Sequence, residues 1–281
     1  MSLNILNEKK REEFFNALKI IHSYYQSLNL GKLFFGDLVF QKKAKEEEVL
    51  NFINSFKSMI VSTKLIRIGG KGDGGYLIAD DLKGIKFCFS PGVNKIANFE
   101  NDLAKKYNIK SFMIDSSVKA PPLENNLFEF KSINLGSKND SKTTTLSNWI
   151  KESVGDKESE MILQMDIEGS EHEVLIETSM ETLLKFRTLI IEFHALNNLF
   201  DNFNLMVMSA IFNKLKRNFS IVHCHPNNCC GIAQVDSISI PRVLEITFIR
   251  NDRINNVLLE KPISLPYYLD EKNVDKNPNL I

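Results

Sequence analysis

Residues Met161–Leu175 read MILQMDIEGSEHEVL, and the fold turns on how this stretch is understood. Met161 to Met165 make a short apolar run, interrupted only by Gln164, of the kind that forms a strand buried on both faces. Asp166, Glu168, Glu171 and Glu173 follow at once, with Gly169 among them. A helix N-terminus accounts for part of this. Acids are favoured there by the macrodipole, and Ser170 with Glu173 fits a capping box. It leaves Asp166, the first residue past the strand, without a helical role, and predicts an active-site floor where the strand surfaces.

The same unit recurs on both sides. Strand candidates are 86–90 (KFCFS), 111–115 (SFMID), 127–133 (LFEFKSI), 161–165, 188–193 (TLIIEF), 219–224 (FSIVHC) and 242–249 (RVLEITFI). Helical spacing lies between them at about 95–107, 145–154, 171–186 and 199–217. Strands alternating with helices predict an α/β layer with a mostly parallel sheet. The last two strands lack an intervening helix, which predicts an antiparallel edge. Upstream, residues 8–28 place Phe14, Phe15, Leu18, Ile21, Tyr25 and Leu28 at spacings of three and four, an amphipathic helix whose aromatic face offers a homodimer interface. A second helix is expected at about 44–60. Residues 1–60 are therefore expected to form a helical appendage, a lid or dimerisation element, and 61–281 the sheet domain. The tail from Lys261, rich in Pro, Asn and Asp, is expected to be irregular.

Composition narrows the function classes. Thirty-five basic and 35 acidic residues cancel, so no broad basic field argues for nucleic acid or an anionic membrane surface. The first residues are too charged for a signal peptide, and no apolar run approaches the roughly 20 residues of a membrane span. A cytoplasmic protein is expected. Its four cysteines, Cys88, Cys224, Cys229 and Cys230, are expected to be reduced thiols.

In open parallel sheets ligands bind beyond the carboxyl ends of the strands, where the strand order switches. The residues at those ends are Ser90, Pro91 and Gly92 after the first strand, Asp115 and Ser116 after the second, and Asp166 after the fourth. Glu192 and His194 end the fifth; His223, His225, Asn227 and Asn228 end the sixth. Asp115 stands where a carboxylate can accept both ribose hydroxyls of an adenosine-containing cofactor. Each has an ordinary alternative: a loop glycine at Gly92, a helix cap at Asp115, a buried core histidine at His194. His223 and His225 with Cys229 and Cys230 resemble a metal constellation, but their spacing matches no standard zinc pattern. Residues 69–75, GGKGDGG, satisfy G-x-G-x-x-G through Gly70, Gly72 and Gly75. The continuation YLIADDL reads as strand and turn rather than helix, so no nicotinamide or flavin site is expected. The stretch is read instead as a mobile loop over the cofactor, bringing Asp73 and Gly74 to it, or as a plain connector.

LQMDIEGSEHEVL followed some twenty residues later by LIIEFHAL resembles the FkbM-type S-adenosylmethionine-dependent methyltransferases, with their Asp-(Ile/Val)-Glu-Gly-x-Glu turn and later Glu-x-His. TTTLSNWI, leading into the fourth strand, resembles the family's Thr-Leu-x-x-(Ile/Leu) segment. RIGGKGDGGYLI, CFSPGVNKIANFENDLA, VHCHPNN and VLEITFI are similar to a subgroup associated with bacterial surface glycans. The resemblance covers about residues 64–270 and departs at the first loop, where Ser90-Pro91-Gly92-Val93-Asn94 replaces the usual Asp-x-Gly-x-x-x-Gly. It implies a Rossmann-like, seven-stranded class I methyltransferase sheet. It also implies S-adenosylmethionine near Gly92, held at its ribose by Asp115, with Asp166 beside the sulfonium. The acceptor implied is a hydroxyl, in a small molecule or glycan precursor such as a nucleotide sugar. His194 is the first choice for base, since histidine titrates near neutrality; His223, His225 and Asp166 are the alternatives. No metal is expected in this reading. A variant has a divalent ion held by Asp166, Glu192 or His194. A further reading is a non-catalytic scaffold on the same fold.

Overall fold

The computed structural model describes residues 43–256 and 266–280. The chain divides into two compact units, Met1–Lys42 and Lys43–Ile281, and every described residue belongs to the second. Helix 8–28 and the dimer interface expected on it lie outside the described residues.

The second unit opens with α1 (Glu46–Lys57), which buries Val49 and Phe52. Phe52 and Phe56 pack on Phe212, so this helix, placed in the appendage by its sequence, shares the core of the sheet domain. A hairpin follows, β1 (Leu65–Ile68) and β2 (Tyr76–Ala79), paired antiparallel. Then come β3 (Phe87–Pro91), α2 (Asn98–Tyr107), β4 (Lys110–Ile114), β5 (Phe128–Lys131), and the short pair β6 (Asn134–Leu135) and β7 (Thr143–Thr144). After α3 (Leu146–Val154) run β8 (Met161–Met165), α4 (Glu171–Glu177), α5 (Met180–Leu183) and β9 (Phe186–Phe193). A 3-10 turn at Leu196–Phe200 leads into α6 (Asn202–Leu215). The unit continues with β10 (Phe219–Pro226), the hairpin β11 (Ile232–Val235) and β12 (Ile238–Pro241), and β13 (Leu244–Arg250). The helix expected over 171–186 is in fact two. Thr178 leaves the helical region, and the Ser179 side chain accepts from the Thr182 amide to start the second.

The seven-stranded sheet runs β10-β13-β9-β8-β3-β4-β5. β3, β4, β5, β8 and β9 are mutually parallel, and β13 is antiparallel to both β9 and β10. This is the Rossmann-like sheet of class I methyltransferases with its antiparallel edge strand. β8 and β9 are buried along their whole length, as central parallel strands covered on both faces must be. Phe89, Trp149 and Phe186 meet edge to face within the main core, each fully buried apolar side chain stabilising by about 1.5–3 kcal/mol. The chain winds outward from β3 through β4 to β5, then returns to start β8 on β3's other side. The order therefore switches between β3 and β8, where Cys88 pairs with Ile162 and Phe89 with Leu163. No helix among the described residues is long and apolar enough to cross a membrane.

Candidate functional site

A cavity of about 860 Å³ opens at that switch point. The backbones of the loops after β3 and β8 touch beneath it. The Asp166 amide donates to the Pro91 carbonyl at 3.3 Å, and the Gly92 amide to the Ile114 carbonyl at 2.9 Å. Gly92 has a φ of +88°, and a Cβ there would lie 1.5 Å from the Asp166 carbonyl oxygen. Only glycine lets the two loops approach so closely. Beneath the cavity Gln164, the single polar residue of β8, donates to the Tyr76 hydroxyl at 3.0 Å and accepts from Ser90 Oγ at 2.5 Å. Ser90 also contacts Glu100, whose complete burial raises its carboxyl pKa. One hydroxyl proton cannot serve both acceptors, so a protonated Glu100 donating to Ser90, which donates to Gln164, satisfies this buried chain.

The sequence-named residues divide three ways. Gly92, Asp115, Ser116, Asp166, Asp73 and Gly74 all line the cavity. Ser90 and Pro91 lie under it as supports. His194, His223 and His225 do not line it. Nε2 of His223 is 2.9 Å, and Nδ1 of His225 3.5 Å, from Oδ1 of Asp270 in the tail. Both histidines therefore face the tail rather than the cysteines of the suspected metal constellation. Cys229 and Cys230 are joined to each other, so two of the four expected thiols are a disulfide between neighbours. GGKGDGG is the tip of the β1–β2 hairpin, neither lone connector nor cofactor fingerprint. The Arg67 guanidinium donates to the carbonyls of Gly70 and Gly72 and fixes its shape. The tail has no helix or strand in its described part, but Asn228 ties it down through the Val274 amide and carbonyl.

The acidic turn is built differently from a capping box. Ser170 has helical backbone angles and no capping hydrogen bond, and Glu173 is exposed, accepting from Ser137 at 3.1 Å. Glu171 does the work expected of that pair. It is 0% exposed, and its Oε1 accepts from the Ile167 amide at 3.0 Å and the Gly169 amide at 3.2 Å. The same oxygen lies 2.9 Å from Nδ1 of His194. Burial would raise the Glu171 pKa, but the hydrogen bond and charge of His194 outweigh it and hold it low. Glu171 is thus a carboxylate, Nδ1 of His194 carries a proton toward it, and Nε2 faces the cluster beyond. That cluster holds Glu168 Oε2 at 3.5 Å, Asp166 Oδ1 at 3.7 Å and Glu192 Oε1 at 3.8 Å. Burial would lower the His194 pKa, but Glu171 and the other carboxylates raise it.

Two of these acids are costly where they stand. Burial, reinforced by Glu168 and Asp73 against the pull of His194, pushes Asp166 up to about 7. Burial, with the charges of Asp166 and Glu245, pushes Glu192 up to about 10. Glu245 lies directly across from Glu192 in the β13–β9 register, and His225 directly across from Glu245 in the β10–β13 register. Like charges opposed in this way destabilise a sheet unless a proton or cation intervenes. Sequence reading placed Glu171, with Glu168, second to Asp166 in the acidic cluster, and missed Glu245, Gln164, Glu100 and Tyr76. Only Gln164 advertised itself, as a polar break in an apolar strand; the others need the register or the turn geometry.

None of the curated proteins compared matches the chain. Among solved structures, the fibrillarin/Nop5p complex is 12% identical over 60% of this chain and 74% of that one, with a TM-score of 0.35. M. capricolum TrmK in complex with S-adenosyl-homocysteine is 11% identical over 60% and 63%, TM-score 0.32. A SAM-dependent methyltransferase from Archaeoglobus fulgidus is 14% identical over 60% and 87%, TM-score 0.32. These likenesses are loose. The family match is more direct: residues 96–221, from the loop before α2 to β10, match the methyltransferase FkbM domain. With the strand order and switch-point cavity described above, that match makes this part of the chain similar to the FkbM-type, S-adenosylmethionine-dependent methyltransferases.

Proposed function

We propose that the protein is an O-methyltransferase acting on a sugar hydroxyl, with Gly92, Asp115 and Asp166 at the cofactor and His194 at the acceptor. The single observation that carries this reading is the meeting of Gly92, Asp115 and Asp166 at one cavity between β3 and β8, with Nε2 of His194 3.7 Å behind Asp166, within a chain that matches the FkbM domain. The residues suit the cofactor. Asp115 already accepts from the Asn94 and Ser117 amides, one on each oxygen at 2.7 Å, which leaves a lone pair on each for a ribose diol. Gly92 keeps the loop beside it free of a side chain. S-adenosylmethionine, when bound, supplies the electrophilic methyl on a sulfonium and leaves as the neutral thioether.

The protein must then place the acceptor. One C–O bond forms, the S–C pair returns to sulfur, and the acceptor's proton leaves to the site. Holding the oxygen in line supplies much of the acceleration. His194 is the residue through which the hydroxyl is activated, since Glu171 turns its Nε2 toward Asp166 at the cavity floor. Besides the protonated Glu100, the lining carries five acidic side chains, those of Asp73, Asp115, Asp166, Glu168 and Glu173, against one cation, Lys95. That field suits a sulfonium and repels phosphate, so a glycan-linked hydroxyl is favoured over a nucleotide-activated sugar.

Calorimetric titration of the full chain with S-adenosylhomocysteine tests the cofactor assignment, and Asp115→Ala is expected to weaken binding at least tenfold. Absence of binding by folded wild-type protein would overturn the reading. Labelled methyl transfer to glycan fractions of the producing cell tests the acceptor class. Binding without transfer to any acceptor favours the scaffold alternative.

A further inference from the structure

We propose that Asp166, Glu192 and His194 form a binding site for a divalent transition-metal ion. One donor atom from each lies within 4.8 Å of the other two. The placement follows from the sheet. Glu192 and His194 are two apart at the carboxyl end of β9 and so project to the same side. Asp166 leaves the adjacent parallel strand β8, whose Met165 pairs with Ile191.

An acidic cluster alone would not make a site; here the unsatisfied atoms do. Glu192 is 4% exposed. Its Oε1 accepts from Asn227 Nδ2 at 2.8 Å, while its Oε2 is buried with no hydrogen-bond partner. Oδ1 of Asp166 is likewise buried and unpartnered. A buried polar atom left without a partner costs roughly 1–3 kcal/mol, and more where it carries charge. A cation held between them satisfies both. The histidine is preset as a ligand. Its Nδ1 is held by Glu171, itself fixed by two backbone amides, so Nε2 is the nitrogen turned to the cluster and, once its proton is displaced, the one that ligates. This carboxylate–histidine arrangement is the one that supports metal-bound imidazole.

One imidazole nitrogen and two carboxylate oxygens suit ions such as Mn²⁺ or Fe²⁺ better than Ca²⁺, which takes oxygen alone. With donors at about 2.1 Å from an ion, neighbouring donors stand about 3.0–3.5 Å apart. Nε2 stands 3.7 Å from Asp166 Oδ1 and 3.8 Å from Glu192 Oε1, and all three donors lie within 4.8 Å of one another, so the side chains draw together on binding. Glu168, 84% exposed at its side chain with Oε2 3.5 Å from Nε2, stands at the open side. Asp166 also lines the cavity, so an acceptor hydroxyl can reach the ion there. An ion held there by Asp166, Glu192 and His194 would make that hydroxyl more acidic, with Glu168 at the open side placed to take its proton. This last role rests on the methyl-transfer reading; the binding of the ion does not.

The test is a titration of metal-free, full-length protein with Mn²⁺, following the free-ion electron paramagnetic resonance signal without cofactor or acceptor. One ion per chain is expected. Glu192→Gln and Asp166→Asn should each weaken binding at least tenfold, and Glu177→Gln, an exposed change on α4, should not. Circular dichroism establishes that each variant is folded. Failure of folded wild type to retain Mn²⁺ at millimolar concentration, or equal binding by Glu192→Gln and Asp166→Asn, overturns the proposal. Titration of the same samples with S-adenosylhomocysteine separates the two readings: Mn²⁺ binding without nucleoside binding upholds the site and removes the methyltransferase role.

Discussion

Replacing Glu171 is the sharpest test of how the acidic turn is held. Its Oε1 serves three donors at once, the Ile167 and Gly169 amides and Nδ1 of His194, with the side chain wholly inside the protein. Hydrogen bonds to a charged acceptor contribute about 1.5–3 kcal/mol each, less where several share one oxygen. Glu171→Ala should therefore cost about 3–5 kcal/mol, a large part of the roughly 5–15 kcal/mol that holds a domain together. Glu171→Gln keeps an acceptor oxygen and loses only the charge assistance, so about 1–2 kcal/mol is expected. Urea unfolding followed by fluorescence of the one tryptophan, Trp149, which is buried, reads both. The glutamine variant should also lose turnover out of proportion to its stability, because a neutral partner no longer dictates which His194 nitrogen bears the proton. A loss under about 1 kcal/mol for Glu171→Ala would refute the claim that this residue organises the turn. Equal losses for Ala and Gln would refute the acceptor argument.

Other perturbations address separate parts of the site. Gly92→Ala puts a Cβ 1.5 Å from the Asp166 carbonyl at a φ of +88°, so it should push the two loops apart and abolish S-adenosylhomocysteine binding in calorimetry. The tail clasp should depend on pH at both ends. Burial would raise the Asp270 pKa, but His223 and His225 hold it well below the usual carboxylate range. Its contribution is therefore present above the unfolded carboxylate pKa and lost as pH falls through the folded one. Burial would lower His225, but Asp270 and Glu245 raise it, so its share is present below the unfolded histidine pKa and lost as pH rises through the folded one. The stability difference between wild type and Asp270→Asn, measured by denaturation from about pH 3 to 9, should peak near pH 5–6 and shrink on either side. Uridine diphosphate at millimolar concentration should not inhibit methyl transfer, because the lining is acidic; clear competitive inhibition would reinstate a nucleotide-activated acceptor.

The fold was legible because each sheet strand carries a local signature. Met161–Met165 coincides with β8, and all seven sheet strands lie within a few residues of their apolar runs. Asp115 and Asp166 were legible for the same reason, since the residue just past a parallel strand must face the switch point. What failed was whatever depended on contacts between segments. A serine followed by an acid three residues on looks like a cap in any sequence; only the folded turn reveals that Glu171 reaches back to the amides first. The pairing of Glu245 with Glu192 depends on the antiparallel register of β13, which no spacing within either strand encodes. His223 and His225 were drawn toward the cavity by their place at a strand end. β10 sits at the edge of the sheet, several strands from β3, and the tail reaches them there.

The net charge of zero conceals how unevenly the charge is placed. Basic side chains pair with acids away from the cavity, as Arg187, Arg250 and Arg253 do with Glu160 and Asp81. The carboxyl ends of β8 and β9 collect carboxylates with only His194 to answer them. Stability does not explain this, since burial drives Asp166 and Glu192 toward protonation and opposed glutamates strain the β9–β13 pairing. An arrangement that costs stability and lies at the ligand end of the sheet is accounted for by a cationic occupant. The sulfonium accounts for Asp166 at the cavity, but Glu192 is not part of the lining. Its Oε2 is buried without a partner, and a second positive charge at the cluster, a metal ion on His194, Asp166 and Glu192, gives that residue a purpose the cofactor alone does not supply.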